Sequence, residues 1–203
     1  MHDDPFGTKS RQTAGAIDQK IGQRVYFGAT ATKRWMDIPY LGSDSLGNLI
    51  GVTTPWTESQ VGGYIRWLPT SSIALSLQVI DEDFERTQEN QGTGAFLSLK
   101  QLRVPAMIQW FSPAGFGASL RSTYWHQDGV FCGAGSSTCD LAGAETSTIT
   151  DLGLSYQIPR RAGSISLDVL NIFDKHFQYQ SVDTSKLVPF TGRAAFARVS
   201  LVF

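Results

Sequence analysis

The sequence predicts an all-β fold, an antiparallel up-and-down segment of a transmembrane β-barrel with about nine strands. Three observations support this prediction. Apolar and polar residues alternate along most of the chain, which is the period of a strand with one apolar face. Short and long connections alternate along the chain, as they do in membrane barrels. Aromatic residues gather near both ends of the expected strands, where amphipathic rings settle at a membrane surface.

The composition agrees with a strand-rich chain. Of the 203 residues, 41% are apolar and 17% are charged, and helix-rich soluble proteins usually carry more charge than this. The 20 glycines favour tight turns, and the five Trp, six Tyr and twelve Phe favour strands. Because the net charge is −1, we expect no nucleic-acid partner. No run reaches the roughly 20 apolar residues of a spanning helix, but barrel strands hide their apolar residues in alternation.

The alternation locates the individual strands. The apolar positions of the clearest strands are Ile73, Leu75, Leu77 and Val79; Phe116, Ala118 and Leu120; Leu152, Leu154 and Tyr156; Ile165, Leu167 and Val169; and Ala197, Val199, Leu201 and Phe203. The charged residues that fall on the opposite side, and that would face the lumen of a barrel, are Arg66, Arg121, Asp151, Asp168 and Arg198. A soluble β-sandwich also alternates, with its polar face in water, so alternation alone leaves both folds open.

The connections favour the barrel. Four are short and rich in turn residues, at positions 19–23, 69–72, 112–115 and 159–163. Four longer stretches separate them, at positions 39–57, 88–94, 132–147 and 182–189. Membrane barrels have this asymmetry, with tight periplasmic turns and long extracellular loops. We expect loops 39–57 and 132–147 to make the ligand contacts, because loops on a rigid scaffold carry recognition.

The strand count indicates part of a larger barrel. The expected strands begin near Ser10 and end at Phe203, after a loop or disordered start at residues 1–9. Nine is an odd number, whereas single-chain bacterial barrels close with even numbers. The acidic N-terminus has no apolar core and is not a signal peptide. We therefore expect residues 1–203 to form one domain that begins midway through a barrel.

Two segments near the C-terminus resemble the barrel of TonB-dependent outer-membrane receptors. The residues of the first segment are Asn171, Ile172, Phe173, Asp174 and Lys175. Together with the alternating residues before it, this run resembles the penultimate strand of that family. The last strand, with Val199, Leu201 and the terminal Phe203, resembles the signal that the barrel-assembly machinery recognises. An extended segment with one apolar face is suited to strand addition at an exposed edge.

The resemblance implies the C-terminal portion of a barrel with about 22 strands in the bacterial outer membrane. It implies a receptor and transporter that takes up a scarce nutrient, such as a metal chelate. Its partners would be outer-membrane lipid, the barrel-assembly machinery and a TonB-type energy source acting through a plug domain absent from this chain. No cofactor is implied. A passive porin, an export pore and a soluble β-sandwich binding module remain open as alternatives.

No arrangement of residues predicts catalysis or a metal centre. GxSxG, the P-loop and GxGxxG are absent, so we expect no enzyme activity. Cys132 and Cys139 would close a small disulfide in an oxidising compartment, with two unpaired thiols as the alternative. Asp81, Asp83 and Glu85 point the same way at a strand end. They form a solvated or lipopolysaccharide-facing rim, or a cation site.

Overall fold

The computed structural model describes residues 7–43, 45–86, 96–131, 141–159, 162–176 and 192–201. In these ranges the chain forms nine strands in one sheet, and their spatial order equals their order in the chain. The strands are β1 (Lys9–Ile21), β2 (Val25–Ser43), β3 (Leu49–Trp67), β4 (Ile73–Arg86), β5 (Phe96–Phe111), β6 (Phe116–Phe131), β7 (Leu141–Ile158), β8 (Gly163–Leu170) and β9 (Ala194–Leu201). Every neighbouring pair is antiparallel. No helix in the described ranges is long and apolar enough to cross a membrane.

The predicted all-β arrangement of nine antiparallel, up-and-down strands is confirmed. β1 begins at Lys9, one residue before the expected start. Over the described residues the sheet is open, with β1 and β9 as its two edges. β1 is exposed along its whole length. Each edge strand has one side on which no described strand pairs with its backbone.

The short turns lie close to their predicted positions. The connections from β3 to β4, from β5 to β6 and from β7 to β8 occupy residues 68–72, 112–115 and 159–162. The first turn lies at 22–24, slightly later than predicted, because Ile21 still pairs with Val25. Gly22 has a φ of 60° there. Glycine adopts this left-handed conformation at no steric cost, so the chain can reverse within three residues.

The predicted long loop at positions 39–57 is wrong. β2 and β3 continue through it in one register that pairs Pro39 with Thr53, and only residues 44–48 connect the two strands. Proline normally interrupts a strand because it lacks a backbone donor. Continuous pairing of β2 with β3 through Pro39 and Pro55 is therefore unusual.

Pro39 lies where a neighbouring strand has already ended. β1 pairs with β2 only as far as Asp37, so Pro39 lies in a part of β2 that is locally an edge. At Pro55 the position next to it on the β4 side lies outside the described residues, since the described part of β4 stops at Arg86, opposite Trp56. Edge positions tolerate proline because one side of the backbone needs no partner.

The predicted alternation of short and long connections fails at this hairpin. Residues 44–48 form a connection as short as residues 68–72. Part of the predicted loop 132–147 is also strand, because β7 begins at Leu141 and pairs with β6 from there. Residues 132–140, together with the predicted loops 88–94 and 182–189, lie outside the described residues.

The described residues form a single layer. All nine strands belong to one sheet, and many of its large apolar side chains are exposed. A β-sandwich would bury such side chains against a second sheet, so the described part of the chain is not a sandwich. The main buried apolar cluster is small, and its residues are Met36, Ile38, Phe84, Phe96 and Leu99.

Candidate functional site

The register assigns every strand residue to one of two faces. Residues directly opposite each other in an antiparallel pair share a face, and successive residues alternate between faces. One row of opposite residues crosses five strands, from β3 to β7, and consists of Arg66, Ser76, Met107, Arg121 and Asp151. We call the face that holds this row the polar face and the opposite one the apolar face.

All five charged residues expected on the lumen side lie on the polar face. Three of them belong to the row just described. Asp168 is opposite Gly153, two residues from Asp151. Arg198 is opposite Ser166, two residues from Asp168. The sheet therefore presents these five side chains on the same side.

These five charged residues do not pair with one another in the described structure. Arg121 is opposite Asp151, but its Nη2 lies 3.7 Å from the sulfur of Met107. Asp151 instead accepts a hydrogen bond of 2.9 Å from the backbone N–H of Asn171. The charged network expected from the sequence is therefore not formed by direct contacts within these ranges.

A cleft of about 710 Å³ opens on the polar face. Its charged lining residues are Arg66, Arg103, Arg121 and Asp151. The guanidinium of Arg66 lies 5.0 Å from the ring centroid of Tyr64, and that of Arg103 lies 5.3 Å from the ring centroid of Trp125. Both distances allow cation–π attraction. With three cations against one acid, the cleft lining is positively charged.

The apolar face carries an exposed band in the half of the sheet nearest the short turns. Its most exposed aliphatic residues on β3 to β9 are Val61, Ile65, Leu77, Val79, Ile108, Leu120, Leu152, Leu154, Ile165, Leu167, Val199 and Leu201. Their exposed fractions range from 37% to 64%. Since isolated exposed apolar residues are ordinary on protein surfaces, the informative feature is that these residues form one continuous area.

Aromatic rings flank this band. The rings next to the short turns, on the same face, are Phe27, Trp67, Trp110, Phe116 and Tyr156. The rings of Phe116 and Tyr156 lie 4.7 Å apart and join β6 to β7. On the far side of the band, Trp35 and Tyr124 are exposed on the apolar face. Trp56 and Trp125, expected near strand ends, instead lie in the middle of β3 and β6 and on the polar face.

Beyond the band the apolar residues change face. In β4, Val79 lies on the apolar face, whereas Ile80 and Phe84 are buried on the polar face. From there the apolar face carries the acidic residues Asp81, Asp83 and Glu85. Lys100 lies 3.7 Å from Asp83. No group of three or more His, Cys, Asp or Glu side chains in the described ranges is arranged to hold a metal ion.

The buried cluster on the polar face surrounds an arginine that sequence reasoning missed. The guanidinium carbon of Arg86 lies 4.0 Å from the ring centroid of Trp56, 4.6 Å from that of Phe96 and 5.3 Å from that of Phe84. Arg86 lies beyond the apolar band, and burial lowers its pKa to about 10, so it is still a cation at neutral pH. The sequence signal for this cluster was the change of alternation between Val79 and Ile80.

The motif that resembles receptor barrels forms a compact turn at the end of β8. Asn171 is buried and has a φ of 50°. Its side chain accepts a hydrogen bond from the N–H of Lys175 at 2.9 Å and donates one to the C=O of Lys175 at 2.8 Å. The N–H of Ile172 donates to the C=O of Thr150 at 2.9 Å. The turn is thus closed on itself and attached to β7.

Asp174 connects the same turn to the start of β9. Its φ is 52°, and its Oδ1 accepts a hydrogen bond of 2.8 Å from the backbone N–H of Arg193. This hydrogen bond lowers the pKa of Asp174. Phe173 lies between these anchored residues and is 65% exposed. The motif therefore holds the last two strands together where β8 stops.

The remaining predicted positions lie at the sheet edge or outside the described ranges. Val199 and Leu201 are exposed on the apolar face of β9. Phe203, Cys132 and Cys139 lie outside the described residues. The assembly signal that ends in Phe203 and the disulfide between the two cysteines therefore stay predictions.

No protein-family model, curated protein or solved structure matches the chain. The likeness to receptor barrels therefore rests on the motif residues and on the alternating last strand.

Proposed function

We propose that this chain is part of an outer-membrane β-barrel that acts as a receptor and transporter for energy-coupled uptake of a scarce nutrient, such as a metal chelate. The observation that carries the proposal is the exposed apolar band on one face of a sheet whose opposite face is polar. Large exposed apolar areas mark membrane or protein contact surfaces. An apolar outer face opposite a polar inner face is the pattern of membrane barrels.

The height of the band supports the membrane part of the proposal. On β5 every residue of the apolar face from Leu102 to Trp110 is apolar. At about 3.4 Å per residue and a strand tilt of roughly 40°, this stretch is about 20 Å high. The outward apolar band of membrane barrels is about 25 Å high.

The change of face beyond the band supports the same orientation. Where β4 carries acidic residues on the outer side and Phe84 on the inner side, hydrocarbon no longer favours apolar side chains outside. We therefore place the ends of the strands opposite the short turns outside the hydrocarbon region. The polar face, with the cleft and its three arginines, would line the lumen.

The receptor part of the proposal is supported by the motif at Asn171 and the alternating last strand. In such a receptor, β9 would be the strand that the barrel-assembly machinery recognises, and the polar face would meet a plug domain that contacts a TonB-type partner. The protein would bind its ligand and let it pass without breaking bonds. A passive porin or an export pore would share the apolar band but lack energy coupling.

The five tryptophans provide a direct test of the membrane assignment. Single-tryptophan variants, with Phe at the other four positions, are refolded into bilayers that contain brominated lipids. Trp67 and Trp110 on the apolar face should be strongly quenched, because bromine quenches only by close contact. Trp125 on the polar face is the control for the side of the sheet, and Trp56, which lies beyond the band, is the control for depth; both should be quenched weakly. Equal quenching of all four positions, or none, would contradict the lipid-facing band.

Energy-coupled uptake requires a test in cells. A deletion strain and its complemented counterpart are grown under iron limitation, and radiolabelled iron is added in their own spent medium. We expect the deletion to reduce iron accumulation and a protonophore to abolish the difference between the strains. Accumulation that depends on the gene but persists with the protonophore would indicate a passive pore instead.

A further inference from the structure

Arg86 is a partly buried cation without an acidic partner in the described ranges. By contrast, another arginine on the same face has an acidic partner. Arg34, two strands away, forms an ion pair of 2.7 Å with Glu58. A cation removed from water normally needs such a partner, because burial penalises the charged form. The three rings around Arg86 compensate part of that penalty through cation–π attraction.

The acidic residues nearest to Arg86 along the polar face are already engaged. Glu58, opposite Phe84 in the register, is bound by Arg34. Glu82, four residues before Arg86 on the same strand, accepts a hydrogen bond of 3.0 Å from Gln60. Both carboxylates, on β3 and β4, lie on the same face as Arg86. Neither of them, nor any other described acid, pairs with its guanidinium.

Two further polar atoms beside Arg86 lack partners. Arg86 Nε, Trp56 Nε1 and Thr54 Oγ1 are all buried without a hydrogen-bond partner among the described residues. Trp56 is directly opposite Arg86, and Thr54 is the next residue of β3 on the same face. Two of these atoms can only donate, and the hydroxyl can donate as well. The site thus offers hydrogen-bond donors and positive charge, and its one free acceptor, the Thr54 hydroxyl, can also donate.

We propose that Arg86 anchors an oxyanion, a carboxylate or phosphate group of a ligand that enters from the polar face. The two terminal guanidinium nitrogens are not among the buried unpartnered atoms, so they are the groups that the ligand contacts. A planar guanidinium held among aromatic rings binds such oxyanions through two parallel hydrogen bonds. The apolar surroundings strengthen this attraction relative to water. The inference rests on the proposed function only in treating the polar face as the water-filled side.

The test follows the N–H signals of the site by NMR with the whole protein in detergent micelles. The Arg86 Nε–H and Trp56 indole N–H signals are assigned from Arg86→Gln and Trp56→Phe. Benzoate, inorganic phosphate and benzyl alcohol, the neutral analogue of benzoate, are titrated at constant ionic strength. We expect saturable shifts with at least one of the two anions and none with benzyl alcohol. Comparing the two anions shows whether the site prefers carboxylate or phosphate.

Three variants separate this site from general anion attraction. Arg86→Gln should weaken anion binding roughly tenfold or more, because it removes a charged hydrogen-bond partner. Arg198→Gln removes a cation from the same face but outside both the cluster and the cleft, and should bind like the parent. Arg86→Lys keeps the charge without the planar fork and should bind between the two; it keeps the test decisive if Arg86→Gln does not fold.

The proposal is overturned if neither anion gives saturable shifts, or if Arg198→Gln weakens binding as much as Arg86→Gln. Neither result would affect the lipid-quenching test, because binding in micelles requires no transport. A negative quenching result combined with anion binding would leave Arg86 as an anion site on a protein of another kind.

Discussion

Asn171 illustrates how one side chain can replace part of a backbone ladder. β8 ends at Leu170, while its neighbour β7 continues toward the far end of the sheet. The amide of Asn171 bonds both backbone groups of Lys175 and so closes the turn that follows. Asparagine also tolerates a positive φ better than most residues, because its short polar side chain bonds locally. The motif was recognised in the sequence by resemblance, but its spacing alone did not reveal this geometry.

Replacing Asn171 should destabilise the protein in two separable steps. Asn171→Gly keeps the left-handed backbone accessible but loses two hydrogen bonds, and we expect a loss of about 2 kcal/mol. Asn171→Ala also forces a Cβ into that conformation and should cost about 1 kcal/mol more. Urea-induced unfolding in bilayers measures both values. Equal stability of the Gly and Ala variants would show that the backbone conformation is not restrictive.

The strands themselves show which sequence signals were sufficient. Alternation located β4, β6, β7, β8 and β9, because each has a run of apolar residues at every second position. It failed at the outer part of the β2–β3 hairpin, where Pro39 and Pro55 are typical loop residues. The tolerance of Pro39 depends on where β1 ends, and that information belongs to the neighbouring strand rather than to the local sequence.

Hydrogen exchange distinguishes the observed hairpin from the predicted loop. Amides within residues 39–43 and 49–57 should exchange slowly, because β2 and β3 pair through them. Amides of residues 45–48 should exchange fast and provide the internal control. Mass spectrometry of peptides that cover these ranges measures the difference. Fast exchange across the whole of 39–57 would restore the loop interpretation.

The charged and aromatic residues of the polar face were only partly predictable. The side on which Arg66, Arg121 and Asp151 lie follows from alternation within each strand. Their lack of mutual contacts does not, because it depends on side-chain conformations and on the competing hydrogen bond from Asn171. Arg86 was missed because its three ring partners come from three different strands, which no local pattern brings together.

On the scale of the whole molecule, the sheet has one face suited to hydrocarbon and another suited to water. This division depends on the register of all nine strands and not on any one of them. A passive pore and an active receptor share it. What separates those functions is energy coupling, which the uptake experiment with the protonophore measures.

A charge placed on either face tests this division with adjacent residues of β4. Leu77 and Gln78 are both exposed but lie on opposite faces. Leu77→Arg places a cation in the apolar band, and we expect it to lower the free energy of unfolding in a bilayer by about 2–4 kcal/mol. Gln78→Arg should change it by less than about 0.5 kcal/mol. Similar changes for both variants would mean that the two faces do not differ in their contact with lipid.

Because the apolar side chains change face between Val79 and Ile80, inserting or deleting an odd number of residues there would move the following side chains of β4 to the opposite face. Averaged hydropathy is nearly blind to this change, because the strand stays half apolar on both sides of it. A deletion of one residue just before Ile80 would move Phe84 to the apolar face and the carboxylates of Asp81 and Asp83 to the polar face, with no change in overall composition beyond that residue. Insertions or deletions in this part of β4 should therefore be tolerated only in pairs.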